Sequence, residues 1–184
     1  MATTQQRTRT IWKIDPAHTL VEFAVKHMMV TTVKGRFTDF QGQITGSLDD
    51  LKDVAVDVTI QAKSVNTGSD DRDTHLRSGD FLDVEQFPTI TFKSTRVESK
   101  GKDHAKVYGD LTVRDTTREV ELDTEINGVG KNPYGQEVVG FSAETSISRK
   151  EWGLTWNVAL ESGGWLVADR LKITIEGQAT KQEA

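Results

Sequence analysis

Two side chains between residues 66 and 90 have types and a spacing suited to binding a polar group. Arg72 and His75 lie three residues apart, so they share one face if the segment is helical. The planar donors of an arginine match a phosphate or a carbonyl group, and a histidine can donate a further hydrogen bond. The alternative, which the residues alone favour, is that both side chains brace loops or pair with Asp71 and Asp73.

The histidines are not spaced as in known hydrolytic sites. They lie far apart in the sequence, and neither the HExxH spacing of zinc enzymes nor the GxSxG elbow of serine hydrolases occurs. The four are His18, His27, His75 and His104. His27 ends a predicted strand and is a candidate for the mouth of a cavity, although a histidine at such a place is more often structural. We therefore expect no catalytic residue, no metal site and no cofactor.

A short helical insert at about residues 68–86 must position Arg72 and His75. Thr67 is a suitable N-cap, and Asp70 follows three residues later, where a helix N-terminus favours negative charge. After a break at glycine, a second short helix is predicted from residue 80 onwards. Pro88 prevents any helical continuation into the strand that follows.

The side chains of the insert are predicted to lie on different faces. Leu76 shares the face of Arg72 and His75, whereas Asp73 and Arg77 are spaced to pair on the outer surface. The acidic residues of the insert do not follow the order of an EF-hand calcium loop. Helix capping therefore explains them better than calcium binding does.

The rest of the chain alternates apolar and polar residues with the two-residue period of half-buried strands. All connections but the helical one are short and polar, which favours an antiparallel meander. Eight such strands can close into a barrel, and closure removes exposed sheet edges. The sequence therefore predicts an all-β, eight-stranded, antiparallel up-and-down barrel with one helical insert. The eight candidates are residues 21–27, 40–48, 54–60, 90–93, 105–113, 120–126, 139–147 and 167–175.

Composition narrows the classes of partner. At 184 residues the chain fits one domain, predicted at residues 11–180 after a flexible polar tail at residues 1–10. The formal net charge of -5 argues against nucleic acid, and the absence of cysteine excludes disulfides and thiolate metal sites. No apolar run approaches the ~20 residues of a membrane span. We expect a cytoplasmic protein, or a periplasmic or secreted one if a leader has been removed.

Five phrases of the sequence, in order and at natural spacing, resemble the YceI family of lipocalin-like polyisoprenoid-binding proteins. They are WKIDPAHTLVEFAVKHMMV at 12–30, GRFTDFQGQI at 35–44, RDTHLRSGDFLDVEQFPTITFKS at 72–94, YGDLTVRDTTREVEL at 108–122 and SRKEWGLTWN at 148–157. The resemblance implies an extended barrel, capped by the helical insert, that holds one long isoprenoid chain in a tunnel. Periodicity predicts the barrel, and only the resemblance points to a lipid.

The resemblance implies a non-enzymatic protein that sequesters or transports a polyprenyl alcohol, a polyprenyl phosphate or a quinone, and it adds the expectation of a homodimer. Two other hypotheses stay open at this point. One is an enzyme acting on such an amphiphile, with Arg72, His75 and His27 grouped at the tunnel mouth. The other is a structural barrel whose interior is filled with side chains.

Fifteen residues are candidates for ligand contact, although apolar strand residues in a small barrel equally often form an ordinary core. Trp165 stands where the family has a smaller apolar residue, so it would narrow the tunnel if it faced inward. The candidates are Phe23, Val25, His27, Phe37, Phe40, Arg72, His75, Leu76, Phe81, Phe92, Leu111, Phe141, Trp152, Trp156 and Trp165.

Overall fold

The computed structural model describes residues 9–183, and within this part of the chain there are eleven β-strands and one α-helix. The predicted flexible tail lies outside the described residues, apart from Arg9 and Thr10. The elements are β1 Ile11–Ile14, β2 Leu20–His27, β3 Thr31–Phe37, β4 Phe40–Thr45, β5 Ala55–Gln61, β6 Val65–Asn66, α1 Asp70–Arg77, β7 Thr89–Ser99, β8 His104–Val113, β9 Thr116–Lys131, β10 Glu137–Ser148 and β11 Val167–Lys181.

The strands form one closed antiparallel sheet. Its order is β1-β4-β5-β7-β8-β9-β10-β11, and β11 also pairs with β1, which closes the ring. The remaining strands extend three members of this ring: β2 continues β1 along β11, β3 continues β4 beside β2, and β6 continues β5 beside β3. The barrel therefore has eight strands, and strands that follow one another in the sequence pair with one another in the sheet. The predicted eight-stranded up-and-down barrel is confirmed.

Proline interrupts the first barrel strand. Pro16 has no amide hydrogen for the sheet, and the chain forms a single 3₁₀ turn at Pro16–His18 between β1 and β2. The Asp15 carboxylate caps this turn by accepting the Ala17 amide at 3.0 Å, and it lies 2.6 Å from Nδ1 of His18. The turn itself is held by the Asp15 carboxylate, and the break stays joined to β11 because the Asp15 amide donates to the Gln178 carbonyl at 2.8 Å and the Gln178 amide donates to the Thr19 hydroxyl at 3.2 Å.

The Asp15 contact predicts a pH dependence of stability. The hydrogen bond with the His18 ring lowers the Asp15 pKa, burial opposes this, and the Ala17 amide adds to the lowering. A lowered pKa in the folded state gives stability that is present above the unfolded value of about 3.9 and lost as the pH falls through the folded value. We expect Asp15→Asn to lower the free energy of unfolding by about 0.5 kcal/mol at pH 7. Urea titrations should then show a smaller loss between pH 5 and pH 2 than in the wild type; an unchanged profile would contradict the assignment.

β3 is a strand that the sequence pattern did not predict. Its inward positions are Val33, Gly35 and Phe37, so only two of the three are apolar side chains. Gly35 pairs with Phe23 of β2, and the ring of Phe23 occupies the space where a side chain at Gly35 would lie. The alternation of apolar and polar residues is therefore incomplete in the sequence of β3, because the Phe23 ring of β2 takes the place of an apolar side chain at Gly35.

The helical insert begins later than predicted. Ser69, not Thr67, is the N-cap of α1, and its hydroxyl accepts the Arg72 amide at 3.4 Å. Thr67 instead donates its hydroxyl and its amide to the buried carboxylate of Asp73, at 2.6 and 2.8 Å. The predicted pair of Asp73 with Arg77 is therefore wrong. Arg77 donates to backbone carbonyls of the segment before the helix.

The second predicted helix, from residue 80, is a series of turns. Its amides return to the end of α1, with Leu82 donating to Leu76 and Val84 donating to Arg77. Asp83 has a left-handed backbone with φ of 49°, which a right-handed helix does not accommodate. These bonds fold the turns under α1 and place Leu82 against the barrel interior.

Candidate ligand-binding cavity

A cavity of about 300 Å³ runs along the inside of the barrel. Its wall reaches from Ile14 and Leu51 at one end to Leu76 and Trp152 at the end that carries the insert. Almost every lining side chain is apolar, because inward and outward positions alternate along each strand. The volume lies at the lower end of the range of about 300–1,000 Å³ for small-molecule pockets. The interior is thus not the solid core of the structural-barrel hypothesis.

Two further hollows are open grooves on the outer wall, each of about 660 Å³. One is lined by several charged side chains, including Glu121 and Arg170. The other lies beside the 3₁₀ turn at Pro16–His18. The first groove is mainly polar and the second is about equally polar and apolar, whereas the inner cavity is almost wholly apolar and is therefore the candidate site for an apolar ligand.

Three phenylalanine rings lie against glycines of the neighbouring strand. A Cβ added at Gly35 would lie 2.4 Å from the Phe23 ring, one at Gly109 would lie 2.5 Å from the Phe92 ring, and one at Gly177 would lie 2.7 Å from the Phe141 ring. All three phenylalanines line the cavity. Because each glycine leaves room at the wall, each large ring packs along it and leaves the centre of the barrel open.

One buried charge, that of Arg149, belongs to the cavity wall and was missed by the sequence analysis. Its side chain is 3% exposed and lies just beyond the end of β10. Burial lowers the Arg149 pKa, and the charge of Asp169, whose carboxylate is 3.7 Å away, acts in the opposite direction. The strand period could have indicated this position, because residue 149 continues the series of inward-facing residues 141, 143, 145 and 147 along β10.

The guanidinium of Arg149 is engaged by backbone carbonyls. It donates to Leu154 at 2.6 Å and to Trp156 at 2.8 Å, both in the loop at residues 153–166. It also donates to Ala168 at 3.0 Å and to Val167 at 3.3 Å, at the start of β11. Four of its five N–H groups are thereby used. Arg149 joins the loop to the barrel and has little capacity left to bind a ligand.

Residues 12–179 match the family model of the YceI-like domain. The chain belongs to the YceI family. A UPF0312 protein of Staphylococcus aureus is 38% identical over 95% of this chain and 99% of its own length. A YceI protein of Campylobacter jejuni of known crystal structure is 31% identical, covers 86% of this chain and 90% of that chain, and has a TM-score of 0.75. The resemblance noted from the sequence is confirmed.

A more distant relative in structure is a polyisoprenoid binding domain from Saccharophagus degradans. It covers 93% of this chain and 98% of that chain with a TM-score of 0.70, at 13% identity. At this identity the likeness shows a shared barrel fold and nothing further. None of the helices within residues 9–183 is long and apolar enough to cross a membrane.

Ten of the fifteen candidate residues line the cavity of this YceI-family chain. They come from the six β-strands β2, β3, β4, β7, β8 and β10, from the insert and from the 3₁₀ turn at Arg149–Trp152, and the barrel brings them onto one wall. Trp152 is held there by its indole N–H, which donates to the Leu111 carbonyl at 2.9 Å. The ten are Phe23, Val25, Phe37, Phe40, Leu76, Phe81, Phe92, Leu111, Phe141 and Trp152.

Arg72 and His75 do not line the cavity. The Arg72 guanidinium donates to the hydroxyl and the carbonyl of Thr67, at 2.7 and 2.9 Å, and so braces the loop before α1. His75 lies 2.9 Å from the Asp80 carboxylate, with neither Asp71 nor Asp73 as its partner. The two side chains share a helix but have separate local partners.

His75 and Trp156 belong to an aromatic cluster that closes the insert onto the loop at residues 153–166. The His75 ring packs edge-on against Trp156 at 4.5 Å and against Phe81 at 5.1 Å between centroids. Phe81 also contacts Trp156, at 5.3 Å, and is the member of the cluster that lines the cavity. Trp156 therefore lies behind the lining residues.

Trp165 and His27 lie outside the cavity, at the end of the barrel that carries the insert. Trp165 is 56% exposed and forms an isolated β-bridge with Ala159, so it does not narrow the bore. His27 ends β2 and pairs with Val167. Strand periodicity could not place Trp165, because its loop has no regular alternation.

Proposed function

We propose that this chain binds the hydrocarbon of one long-chain isoprenoid, such as a polyprenyl alcohol, a polyprenyl phosphate or the tail of a quinone, inside its barrel. We further propose that it sequesters or carries this ligand without changing it. The observation that carries the proposal is the continuous apolar cavity, whose lining reaches from Ile14 to Trp152.

Hydrocarbon contact alone is sufficient for such binding. Each buried methylene contributes ~0.8 kcal/mol, so a chain of several isoprene units binds tightly without a polar anchor. The cavity wall offers few free hydrogen-bond donors to a ligand, because the donors of Arg149 are engaged by backbone carbonyls. A polar headgroup would therefore remain at or outside the mouth, where water can solvate it.

Family membership supports the same ligand class. The Saccharophagus degradans domain is described as polyisoprenoid binding, and that description applies to a protein 13% identical to this chain. The enzyme hypothesis grouped Arg72, His75 and His27 at the mouth, and none of these three lines the cavity. Passive binding is therefore the function that the geometry favours.

Organic extraction and native mass spectrometry of the purified full chain test the proposal. We expect a co-purified or added prenyl alcohol to be retained at one molecule per chain and to be recovered chemically unchanged. A chain that takes up no prenyl ligand under any condition would overturn the proposal. Recovery of an altered ligand would replace passive binding with catalysis.

A variant that fills part of the cavity tests whether the ligand binds inside the barrel. Ala143 is 6% exposed and lines the cavity, whereas Glu144 points outward from the next position of β10. Ala143→Phe should displace about two methylenes of ligand and weaken uptake roughly tenfold. Its own stability should change by less than about 2 kcal/mol, since the ring enters open space. Glu144→Phe is the matched control, and equal uptake by both variants would place the ligand elsewhere.

A further inference from the structure

Exposed apolar side chains gather at the barrel end that carries the insert. They come from the turn between β2 and β3 and from the loop at residues 153–166, and each is between 46% and 75% exposed. We call this group the tip patch. Its members are Met28, Met29, Val30, Val158 and Trp165.

Backbone contacts join the two segments of the tip patch into one surface. The Met28 amide donates to the Leu166 carbonyl at 2.8 Å, and the Leu166 amide donates to the Val158 carbonyl at 2.9 Å. The sulfur of Met29 lies directly against Gly164, where an added Cβ would be 2.2 Å from it. The patch is therefore held in place by the barrel and does not depend on a free loop.

The turn that carries the two methionines has an unfavourable backbone. Met28 and Met29 have φ values of 53° and 63°, and the Val30 amide donates to the His27 carbonyl at 3.2 Å, as in a type I′ turn. This turn strongly favours asparagine and glycine, because other side chains are strained at positive φ. Two methionines occupy this turn despite the strain and are 46% and 68% exposed, so burial in the core does not account for them. Strain without burial indicates a functional contact.

The tip patch adjoins the cavity. Val167 and Val25 line the cavity wall, and Val167 pairs with His27, the residue immediately before the methionines. Leu166, which binds Met28, immediately precedes Val167. The tip patch thus lies next to the insert end of the cavity wall: Leu166 immediately precedes the lining residue Val167, and only Lys26 and His27 separate Met28 from the lining residue Val25.

We propose that the tip patch docks on the surface of a lipid bilayer, where the cavity takes up or releases its ligand. This inference rests on the proposed function, because an isoprenoid is stored in a bilayer and does not cross water freely. Tryptophan and other amphipathic or apolar side chains suit the interface of a membrane. The patch itself has no charge and the chain carries a net -5, so hydrophobic contact and not attraction to anionic lipid drives the docking.

The double variant Met28→Asn with Met29→Gly tests the docking directly. Asparagine and glycine fit the observed backbone, so the variant should unfold at an equal or higher temperature than the wild type. Flotation with phosphatidylcholine vesicles should nevertheless show roughly tenfold weaker binding, because two apolar side chains no longer enter the lipid. The control is Tyr134→Ser, since Tyr134 is 88% exposed in the loop between β9 and β10 at the opposite end. This variant should bind vesicles as the wild type does.

The outcomes separate this inference from the proposed function. Uptake of farnesol from aqueous solution should be equal in the wild type and the Met28/Met29 variant, whereas uptake of a prenyl alcohol from vesicles should be slower in the variant. A wild type that takes up farnesol but does not float with vesicles would overturn the docking and leave the carrier role intact. A concentration-dependent dimer that the variant dissociates, without vesicle binding, would assign the patch to a second copy and also overturn the inference.

Discussion

Replacing Arg149 with methionine is expected to lower the free energy of unfolding by about 3–5 kcal/mol. The substitution removes the Arg149 donor from four backbone carbonyls, two in the loop at residues 153–166 and two at the start of β11, and only the Val167 carbonyl keeps another side-chain donor, the Asn157 amide at 2.7 Å. A buried carbonyl left without a partner costs about 1–3 kcal/mol, and the loop cannot turn all of them to water without leaving the barrel. Equilibrium unfolding in urea, monitored by tryptophan fluorescence, measures the loss.

Lys150→Met is the matched control for this prediction. Lys150 is the next residue, carries the same charge and lies 3.1 Å from the Asp169 carboxylate, but its side chain is 56% exposed. Such a surface pair contributes at most about 1 kcal/mol. Arg149→Lys should fall between the two, since lysine keeps the charge but lacks the planar fork. If Arg149→Met were as mild as Lys150→Met, the guanidinium would not be the group that holds the loop.

Gly109→Ala is expected to lower the free energy of unfolding by about 2–3 kcal/mol and to reduce ligand uptake. The new Cβ would lie 2.5 Å from the Phe92 ring and 2.7 Å from the Lys93 carbonyl oxygen. The carbonyl belongs to the backbone of β7 and cannot rotate away, so the sheet must shift. The Phe92 ring must leave the wall, and the direction open to it is the cavity.

Gly128→Ala provides the control for Gly109→Ala. Gly128 also lies in a strand, and nothing would approach a Cβ there within 4 Å. Alanine restricts the unfolded chain, so this variant should be unchanged or more stable by about 0.4–1 kcal/mol. Urea unfolding and prenyl-alcohol uptake should be measured on both proteins. Equal stability and equal uptake would show that Phe92 does not need the space at Gly109.

Much of the barrel was predictable because its strands and their pairing follow from patterns between residues close together in the sequence. A two-residue alternation marks a strand that is apolar on one face, and short connections make neighbours in the sequence neighbours in the sheet. The break at Pro16 was not predicted, nor was β3, whose inward face includes Gly35. In both cases a neighbouring strand supplies what is missing, namely the backbone of Gln178 in β11, which bonds the chain on both sides of the Pro16 break, and the Phe23 ring of β2.

The insert shows where local rules compete. Thr67 and Ser69 are both good N-caps, and sequence spacing favoured Thr67. In the folded chain Thr67 is bonded to the buried Asp73 carboxylate, so Ser69 caps the helix. The bonds from Thr67 to the buried Asp73 carboxylate therefore decide between two caps that are locally similar.

By itself the amino-acid sequence determined the family, through the resemblance of five of its phrases. Residue type and spacing also determined the barrel and the inward strand positions of Phe23, Val25, Phe40, Phe92, Leu111 and Phe141. Tertiary structure alone decided that the bore is open, since this depends on rings such as Phe92 packing over glycines of the next strand. It also decided that Arg149 binds carbonyls and that Trp165 faces outward. These outcomes depend on contacts between residues far apart in the chain, which no local pattern encodes.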